Sequence, residues 1–450
     1  MAINTAWWMG ETYLIGGDGV VRPAPADWWR AGLGALLDRV TARADRAGVL
    51  LLMDDRACRL IGLPDGAEVD PQHPAVKAAA AAGWECSGLS DWTHFHRKGR
   101  PGVRLGLIAA QDRRMDSHGG YRWSPWWSPA PADSMVALAR WRETTGSHWR
   151  GTPGMAGMGV MVDRAPQRGQ GSRVPPTWRP SVPAELVDAQ ELDYRPGDWR
   201  APAGTTYVHG YDSNRAYVAA ASSLRVCPWG LKPTGRTPWK PTIAGWWKVE
   251  LPHVDGVLAW NRPELPHPAG YLDGNPPVRW VTGPTMGLLA ELTEAGEFGG
   301  VEILDSWTGP ARDYPLGSWA LAMRDAYAAG YDMACDLDPA GDILRSMAKY
   351  AGRATLGLLA GRTNWARRSD WWHAIIAQNR VNTWRKINQA CRSGHRAVRV
   401  EVDCVWYASD DPNINAAVPS TYDYDRCGLR LGAVKPKGTR RVMTREGVSA

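Results

Sequence analysis

The sequence is poor in phenylalanine and lysine and contains no long apolar run. It has two phenylalanines and 26 tryptophans in 450 residues, and only nine of its 53 basic residues are lysines. No segment approaches the roughly 18 consecutive apolar residues that a membrane helix needs. The N-terminus also lacks a basic segment followed by an apolar one, which argues against a secretory signal. We therefore expect a cytoplasmic protein with no membrane partner.

Internal repeats and cysteine pairs at zinc-site spacing are also missing. The seven cysteines are scattered singly along the chain, so we expect reduced, structural thiols. A formal net charge of +7 and a pI of about 9.0 suit a polyanionic partner without being specific for one.

The tryptophans could stack on bases as exposed indoles or replace phenylalanine in the core. We favour the core for most of them.

The first third of the chain has the alternation of an α/β domain. Residues 49–53 and 103–109 are predicted strands, and residues 74–83 are a predicted helix. A segment rich in Pro, Gly and Arg at 164–183 predicts a linker, and a proline-dense segment at 262–277 predicts a loop.

Further elements are predicted beyond the linker. A strand at 206–211 ends at Asp212, and a helix follows at 215–224. The remaining elements are two helices, 318–329 and 342–359, joined by a turn around 330–341, and a valine-rich strand at 396–407.

Three acids in these elements are candidates for a catalytic site. In a single strand 396–407, Glu401 and Asp403 would lie on the same face, where a divalent metal or solvent must offset their repulsion. Asp212, at a strand end before a helix, is either a metal ligand or a helix cap. Spacing alone does not choose between these alternatives.

Three cations share one face of the predicted helix 342–359. Arg345, Lys349 and Arg353 recur at i, i+4 and i+8, in a part of the chain where lysine is rare. Like charges at this spacing repel. A bound polyphosphate would offset the repulsion, and a solvated basic face is the equally weighted alternative. Together with the carboxylates, such a helix would suit nucleotidyl transfer assisted by two divalent ions, Mg²⁺ or Mn²⁺.

At these residues the chain resembles family B DNA polymerases, most of all the protein-primed branch of phages and linear elements. The segment YDSNRAY, residues 211–217, resembles the first palm motif, Asp-x-Asn-Ser-Leu-Tyr-Pro, and keeps Asp212, Asn214 and Tyr217. The resemblance implies that Asp212 is a metal ligand and that Asn214 and Tyr217 contact the nucleotide, with Tyr217 excluding a 2′-hydroxyl. The segment departs from the motif at Arg215 and at two other positions.

The fingers and second palm motifs have counterparts as well. KYAGRATLG, residues 349–357, resembles Lys-x3-Asn-Ser-x-Tyr-Gly and keeps both ends, which implies that Lys349 binds the triphosphate. Arg345 and Arg353 would join it because they share its helix face. The lost Asn, Ser and Tyr weaken base-pair checking. VEVDCV, residues 400–405, resembles Tyr-x-Asp-Thr-Asp-Ser, with Glu401 in place of the first Asp. The resemblance implies that Asp403, the second acid, is the other metal ligand.

Two flanking segments extend the pattern. Residues 194–197 resemble the Tyr-x-Gly-Gly segment that contacts the template strand, and residues 431–439 resemble the segment that leads into the thumb. The resemblance implies DNA binding by Tyr194, Gly197, Lys435 and Lys437. The five matches follow the family's order along the chain.

We therefore predict a multidomain protein of the α/β and α+β classes. A degenerate RNase H-like domain of the exonuclease type would span residues 1–165, and it would be inactive because the family's Asp-x-Glu motif is missing. The linker with its Tyr-x-Gly-Gly-like segment would occupy 166–200. A palm with an insertion would follow at 201–310, fingers at 311–362, the rest of the palm at 363–425 and a vestigial thumb at 426–450.

The predicted function is template-dependent DNA synthesis for a mobile or linear element. Its partners would be primer-template DNA, dNTPs and, in the protein-primed branch, a terminal or priming protein. The alternative is a catalytically inactive polymerase fold that binds DNA or scaffolds replication, which the substituted fingers motif and Glu401 favour. An RNA-synthesising primase is a weaker alternative, against which Tyr217 argues.

Overall fold

A computed structural model describes most of the chain. The described residues are 6–10, 13–16, 20–24, 27–42, 49–63, 70–87, 92–107, 131–149, 152–164, 186, 202, 204–262, 264–271, 275–313, 316–361, 367–425 and 427–442. The chain divides into two compact units, Met1–Arg164 with Ala322–Thr355, and Ala165–Leu321 with Leu356–Ala450. Both units mix helices and strands, as the predicted fold class requires.

The first unit is built on a seven-stranded mixed sheet. Its strands are β1 (Ala6–Met9), β2 (Tyr13–Gly16), β3 (Val21–Pro23), β4 (Val49–Met53), β5 (Glu85–Ser87), β6 (Trp92–His96) and β7 (Val103–Leu107). They lie in the order β3-β2-β1-β4-β7-β6-β5, and β4 is parallel to both β1 and β7. All five residues of β4 are buried, because a central parallel strand is covered on both faces and is apolar throughout. The strand predicted at 49–53 is confirmed, and β7 confirms the described part of the one at 103–109.

Six described helices belong to the N-terminal segment of this unit, and residues 322–355 add most of two more that are given below. The six are α1 (Asp27–Arg30), α2 (Gly32–Ala42), α3 (Asp55–Leu60), α4 (Pro74–Ala81), α5 (Pro131–Thr145) and α6 (Pro153–Asp163). The helix predicted at 74–83 is confirmed as α4 and ends two residues earlier. Its first residue is a proline, which suits a position where the backbone N–H has no helical acceptor.

Many of the tryptophans that the structure describes are core residues. Trp84 and Trp141 are 1% and 0% exposed in the first unit. Trp246, Trp247, Trp319 and Trp384 are similarly buried in the second unit. The expectation that indoles replace phenylalanine in the core is confirmed at these positions.

The second unit contains two four-stranded antiparallel sheets and a two-stranded ribbon. Its strands are β8 (Tyr207–Ser213), β9 (Lys232–Pro233), β10 (Ile243–Glu250), β11 (His253–Val254), β12 (Val257–Leu258), β13 (Val278–Thr282), β14 (Glu302–Pro310), β15 (Ala397–Glu401), β16 (Cys404–Ser409) and β17 (Val434–Arg441). One sheet has the order β13-β10-β14-β9, and β11 pairs with β12. The other sheet, β15-β16-β8-β17, is called the carboxylate sheet below because it carries Asp212 and Asp403. Residues 434–441, expected as part of a thumb, form an edge strand of this sheet.

Five more helices follow along the chain. They are α7 (Ala216–Ser223), α8 (Gly283–Glu294), α9 (Leu316–Cys335), α10 (Pro339–Ala360) and α11 (Ser369–Arg392). The helix predicted at 215–224 is confirmed as α7. One stripe of α11, including Trp384 and Ile387, shares a hydrophobic core with Tyr211 and Val405 of the carboxylate sheet. In the part of the chain that the structure describes, no helix is both long and apolar enough to cross a membrane.

The connection between α9 and α10 differs from the prediction. The turn was expected around 330–341, but Gly330 and Gly341 lie inside the two helices and the connection is only residues 336–338. A Cβ on Gly341 would lie 2.4 Å from the backbone N of Ala334, and one on Gly330 would lie 2.7 Å from the backbone N of Arg345. The two glycines therefore allow close contact between the helix backbones.

Gly341→Ala is expected to destabilise the first unit by about 1–3 kcal/mol, because the new methyl group must push the two helices apart. Thermal unfolding followed by circular dichroism would measure the change. Gly357→Ala is the matched control on α10, since no neighbouring atom lies within 4 Å of its Cβ position. Its better helix propensity should stabilise by about 0.5–1 kcal/mol. Equal shifts in the two variants would contradict the close approach.

A buried histidine makes the second unit sensitive to acid. His267 is 1% exposed, and its Nδ1 accepts the Ala269 N–H at 3.1 Å. Burial, together with the positive charges of Arg279 and Arg380, lowers the pKa of His267 to about 4. The fold therefore keeps the ring neutral, whereas the unfolded chain takes up a proton below its ordinary pKa near 6.5.

The contribution of His267 to stability is complete above pH 6.5 and is lost as the pH falls toward 4. The expected loss in unfolding free energy is about 3 kcal/mol. His267→Asn retains a hydrogen-bond acceptor but not the titration, so its stability should fall less over this range. Denaturant unfolding at several pH values would measure both proteins. Parallel pH profiles would show that His267 does not cause the acid sensitivity.

Candidate active site

Asp212 lies within β8 rather than after it. The strand runs to Ser213, two residues past its predicted end. The helix-cap alternative for Asp212 is wrong, because the cap position of α7 is Arg215. Strand alternation places Tyr211 and Ser213 toward the buried core and Asp212 on the opposite face. The Asp212 side chain remains 28% exposed.

The single strand predicted at 396–407 is wrong, because these residues form a hairpin. β15 ends at Glu401, β16 begins at Cys404, and these two residues pair across a two-residue turn. The turn residues are Val402 and Asp403, and Val402 has a φ of +62°, which is rare for a β-branched residue. Glu401 and Asp403 therefore do not share a strand face. Glu401 ends a strand, and Asp403 lies at the hairpin tip.

The hairpin tip brings Asp403 to the end of β8 that carries Asp212. In the ladder between β16 and β8, Val405 lies opposite Tyr211, so the tip and the last residues of β8 are at the same end of the carboxylate sheet. Ser213 Oγ also donates a long hydrogen bond of 3.5 Å to the backbone carbonyl of Asp403. Asp212 and Asp403, distant in sequence, thus lie together.

Glu401 is engaged differently from the two aspartates. Its carboxylate forms an ion pair of 2.7 Å with Arg399 on the same strand. This pair leaves Glu401 at the edge of the carboxylate cluster, with Asp212 and Asp403 at its centre.

A buried lysine of α11 supports the site from the core side. Lys386 Nζ donates to Ser213 Oγ at 2.7 Å and to the backbone carbonyl of Gly432 at 2.6 Å. It therefore ties the end of β8 to the residues that precede β17. Burial lowers the pKa of Lys386 to about 8, against the attraction of three carboxylates, those of Asp403, Asp423 and Asp212.

Sequence analysis missed Lys386 as a site residue. The available signal was its position on α11, three residues after Thr383 and four before Ala390, both of which are buried. A lysine in the buried stripe of an amphipathic helix needs a polar partner. Its partners come from segments far away in the sequence, so the helix alone could not identify them.

A second lysine reaches the pair from β17. Lys437 Nζ lies 3.8 Å from Asp212 Oδ1. The pKa of Lys437 is raised overall. Partial burial lowers this pKa, but attraction by four nearby acidic groups outweighs burial; the four groups are Cys404, Asp212, Glu401 and Asp403. Lys435 on the same strand lies opposite Asp212 in the ladder with β8. Both predicted DNA-binding lysines are thus on the strand next to Asp212.

The two residues predicted to contact the nucleotide, Asn214 and Tyr217, follow β8 in the sequence. Asn214 is 1% exposed, and its backbone N–H donates to the Ala433 carbonyl at 2.8 Å. Neither atom of its side-chain amide has a hydrogen-bond partner among the described residues. Tyr217 lies in the first turn of α7, with its ring centroid 6.2 Å from that of Trp372 on α11. Both residues therefore lie close in sequence to Asp212 and within the same unit.

The three predicted phosphate-binding cations lie on α10, in the first unit. Lys349 and Arg353 are exposed. Arg345 is more constrained, since it pairs with Asp342 at 3.1 Å and lies 5.7 Å from the ring centroids of both Tyr327 and Tyr331. Lys349 is therefore the more accessible of these two cations. Tyr194 and Gly197, the other predicted DNA contacts, lie outside the described residues.

The donor set at the carboxylate pair suits a divalent cation that is completed by substrate. Among the residues that the structure describes, no three His, Cys, Asp or Glu side chains converge closely enough to hold a metal ion by themselves. Mg²⁺ commonly takes only one or two protein carboxylates and completes its shell with water and substrate phosphates. Asp212 and Asp403 would provide this kind of open site.

Comparisons with known proteins give a likeness in fold only. No protein-family model and no curated protein matches the chain. Phi29 DNA polymerase in an orthorhombic crystal form is 12% identical, with a TM-score of 0.44 over 95% of this chain and 81% of that one. Its ternary complex with primer-template DNA and incoming nucleotides gives 12% and 0.42 over 96% and 84%. The family B DNA polymerase of the archaeon Pyrobaculum calidifontis gives 12% and 0.30 over 90% and 51%. The functional proposal is therefore built on this chain's own residues.

Proposed function

We propose that the chain is a template-dependent DNA polymerase whose divalent ions are held by Asp212 and Asp403. The observation that carries this proposal is the placement of Asp212 and Asp403 at the same end of the carboxylate sheet, where both act on the pKa of Lys386 and of Lys437. One aspartate comes from within β8 and the other from the tip of the hairpin β15–β16. Helix capping does not account for Asp212, because the cap position of α7 is Arg215.

The residues at the carboxylate pair would have different tasks in nucleotidyl transfer. Mg²⁺ or Mn²⁺ would supply the charge that lowers the pKa of an attacking 3′-hydroxyl and stabilises the leaving pyrophosphate. Asp212 and Asp403 would hold these ions in place. Lys386, by binding Ser213 Oγ and the Gly432 carbonyl, holds the end of β8 in place, so the Asp212 carboxylate stays in position. Glu401 adds negative charge at the edge of the cluster.

The nucleotide contacts are proposed from the motif resemblance and from exposure. Lys349 would bind the triphosphate of a dNTP, with Arg345 and Arg353 adding positive charge to the same helix face. Tyr217 would lie against the sugar and exclude a 2′-hydroxyl, and Asn214 would support it from the end of β8.

The DNA contacts are proposed on the same basis. Lys435 and Lys437 extend along β17 next to Asp212, which suits the backbone of a strand whose end is at the carboxylate pair. Tyr194 and Gly197 would contact the template. The motif resemblance to the protein-primed branch extends the proposal. The polymerase would replicate a mobile or linear element and would start from a terminal or priming protein.

The sheet of the first unit supports an exonuclease-like domain without exonuclease activity. Three antiparallel strands, β3, β2 and β1, are followed by β4 and β7, which are parallel to β1, an arrangement that suits an RNase H-like sheet. The central strands β1 and β4 have the sequences AWWM and VLLLM and contain no carboxylate. A metal-dependent nuclease needs acids on such strands.

The test is primer extension by the purified protein. A primed DNA template is incubated with dNTPs or NTPs and with Mg²⁺ or Mn²⁺, and product length is resolved on a denaturing gel. Template-directed extension with dNTPs and little with NTPs is expected. Extension that ignores the template sequence, or that prefers NTPs, would contradict the proposal.

One observation favours a catalytically inactive DNA-binding protein as the second candidate. The acids of the cluster already have cationic partners, since Arg399 pairs with Glu401 and Lys437 lies near Asp212. Such a protein would bind primer-template DNA in a salt-dependent manner and incorporate no nucleotide with either metal. The same assay therefore separates the two candidates.

A further inference from the structure

Lys437 owes its position to a β-bulge. In the ladder between β17 and β8 the register shifts between Pro436 and Gly438, so Lys437 is the extra residue. A bulge redirects the side chain of its extra residue. Here it places Lys437 Nζ 3.8 Å from Asp212 Oδ1.

The two lysines at the carboxylate pair differ in their freedom to move. Lys386 is fixed in the core by its hydrogen bonds to Ser213 and Gly432. Lys437 has 43% of its side chain exposed, and Asp212 is its ion-pair partner among the described residues. Because this side chain is partly exposed, Lys437 can turn away from Asp212 into solvent.

The charges at the site are already balanced without a metal ion. Glu401 and Asp423 are paired with Arg399 and Arg430. Of the remaining charges, Asp212 and Asp403 contribute two negative ones, and Lys386 and Lys437 contribute two positive ones. A divalent ion placed beside both lysines would bring like charges together in a partly buried site, which is unfavourable. Because Lys386 is fixed, Lys437 is the cation that can leave.

We propose that Lys437 is a built-in counter-ion, which occupies the cation position beside Asp212 and leaves it when a divalent metal ion binds. The inference rests on the proposed function, because it takes Asp212 and Asp403 as metal ligands. Once displaced, the ammonium group is available to a phosphate of the DNA or the nucleotide. A single lysine thus neutralises the carboxylates before metal binding and contacts phosphate afterwards.

Calorimetric titration of Mn²⁺ into the full chain, without DNA or nucleotide, tests the inference. Lys437→Met removes the competing charge and keeps the apolar stem, so Mn²⁺ should bind about fivefold more tightly than to the wild type, as expected for loss of one partly exposed ion pair. Arg441→Met removes one positive charge from the far end of the same strand, where Arg441 is exposed and lies opposite Tyr207 rather than Asp212, and should leave the affinity unchanged. Asp212→Asn should abolish binding.

The outcomes separate the inference from the proposed function. Equal affinity of wild type and Lys437→Met, with binding lost in Asp212→Asn, would overturn the counter-ion role and leave the polymerase proposal intact. Absence of Asp212-dependent binding in both proteins would overturn both.

A second measurement uses the wild type alone, so it does not depend on how a variant folds. The folded protein is acetylated with and without Mn²⁺, and the modified lysines are quantified by peptide mass spectrometry. Mn²⁺ should raise the modification of Lys437 relative to Lys435, because the ammonium group leaves its carboxylate partner. Unchanged or lower reactivity of Lys437 would overturn the inference.

Discussion

Asp403→Ala is expected to lower the rate of primer extension at least about 1,000-fold and to leave the fold intact. Losing one of two carboxylates that hold the catalytic charge costs several kcal/mol of transition-state stabilisation, and about 4 kcal/mol corresponds to this factor. The fold should persist because Ser213 contacts the backbone carbonyl of Asp403, which alanine retains. Single-turnover extension measures the rate, and thermal unfolding checks the fold.

The matched control for this variant is Asp410→Ala. Asp410 follows β16, is exposed, and has the same charge, but it lies away from the hairpin tip. Surface substitutions of this kind usually change stability by no more than about 0.5 kcal/mol, so extension should stay near the wild-type rate. If Asp403→Ala extends primers as well as Asp410→Ala does, the carboxylate pair is not the catalytic site.

The elements that the sequence predicted well are those whose signal is local. β4 is a run of five apolar residues in a central strand, α4 begins with a proline in its first turn, and α7 is rich in alanine. In these segments composition and period suffice, because the contacts that bury them do not change the pattern.

The hairpin β15–β16 was missed because its turn has no local signal. Tight two-residue turns are usually marked by Gly, Asn or Asp-Gly, whereas here Val402 takes the positive φ within a continuous valine alternation. The strain is held by pairing on both sides of the turn. The consequence concerns Glu401, which does not share a strand face with Asp403. The pair implied by the motif resemblance, Asp212 and Asp403, does not depend on that face.

The supporting cations of the site could not be predicted for a different reason. Lys386 acquires its role from Ser213 and Gly432, and Lys437 from a register shift against β8. These are contacts between residues far apart in sequence. A single sequence shows which residues can carry charge but not which distant residues they meet.

The basic face of α10 was predicted as three equivalent cations, and the structure makes them unequal. Arg345 is held by Asp342 and by the rings of Tyr327 and Tyr331. Lys349 is exposed and has no ion pair with a described carboxylate; its ammonium group lies 6.0 Å from the ring centroid of Tyr350. A ligand phosphate would therefore meet Lys349 without first breaking an ion pair.

Lys349→Met is accordingly expected to raise the KM for dNTP by about 10- to 100-fold, because a hydrogen bond to a charged group contributes about 1.5–3 kcal/mol. Arg345→Met should change the KM much less and should instead lower the thermal stability of the first unit, since its guanidinium is engaged within the protein. Lys349→Arg retains the charge and should restore part of the affinity. Steady-state extension on a fixed primer-template at varied dNTP concentration gives each KM.

Equal effects of Lys349→Met and Arg345→Met on the KM would mean that the helix attracts nucleotide through its summed charge. No effect of either variant would identify a solvated basic face. Only a selective effect of Lys349, together with rescue by arginine, supports a direct contact with the triphosphate.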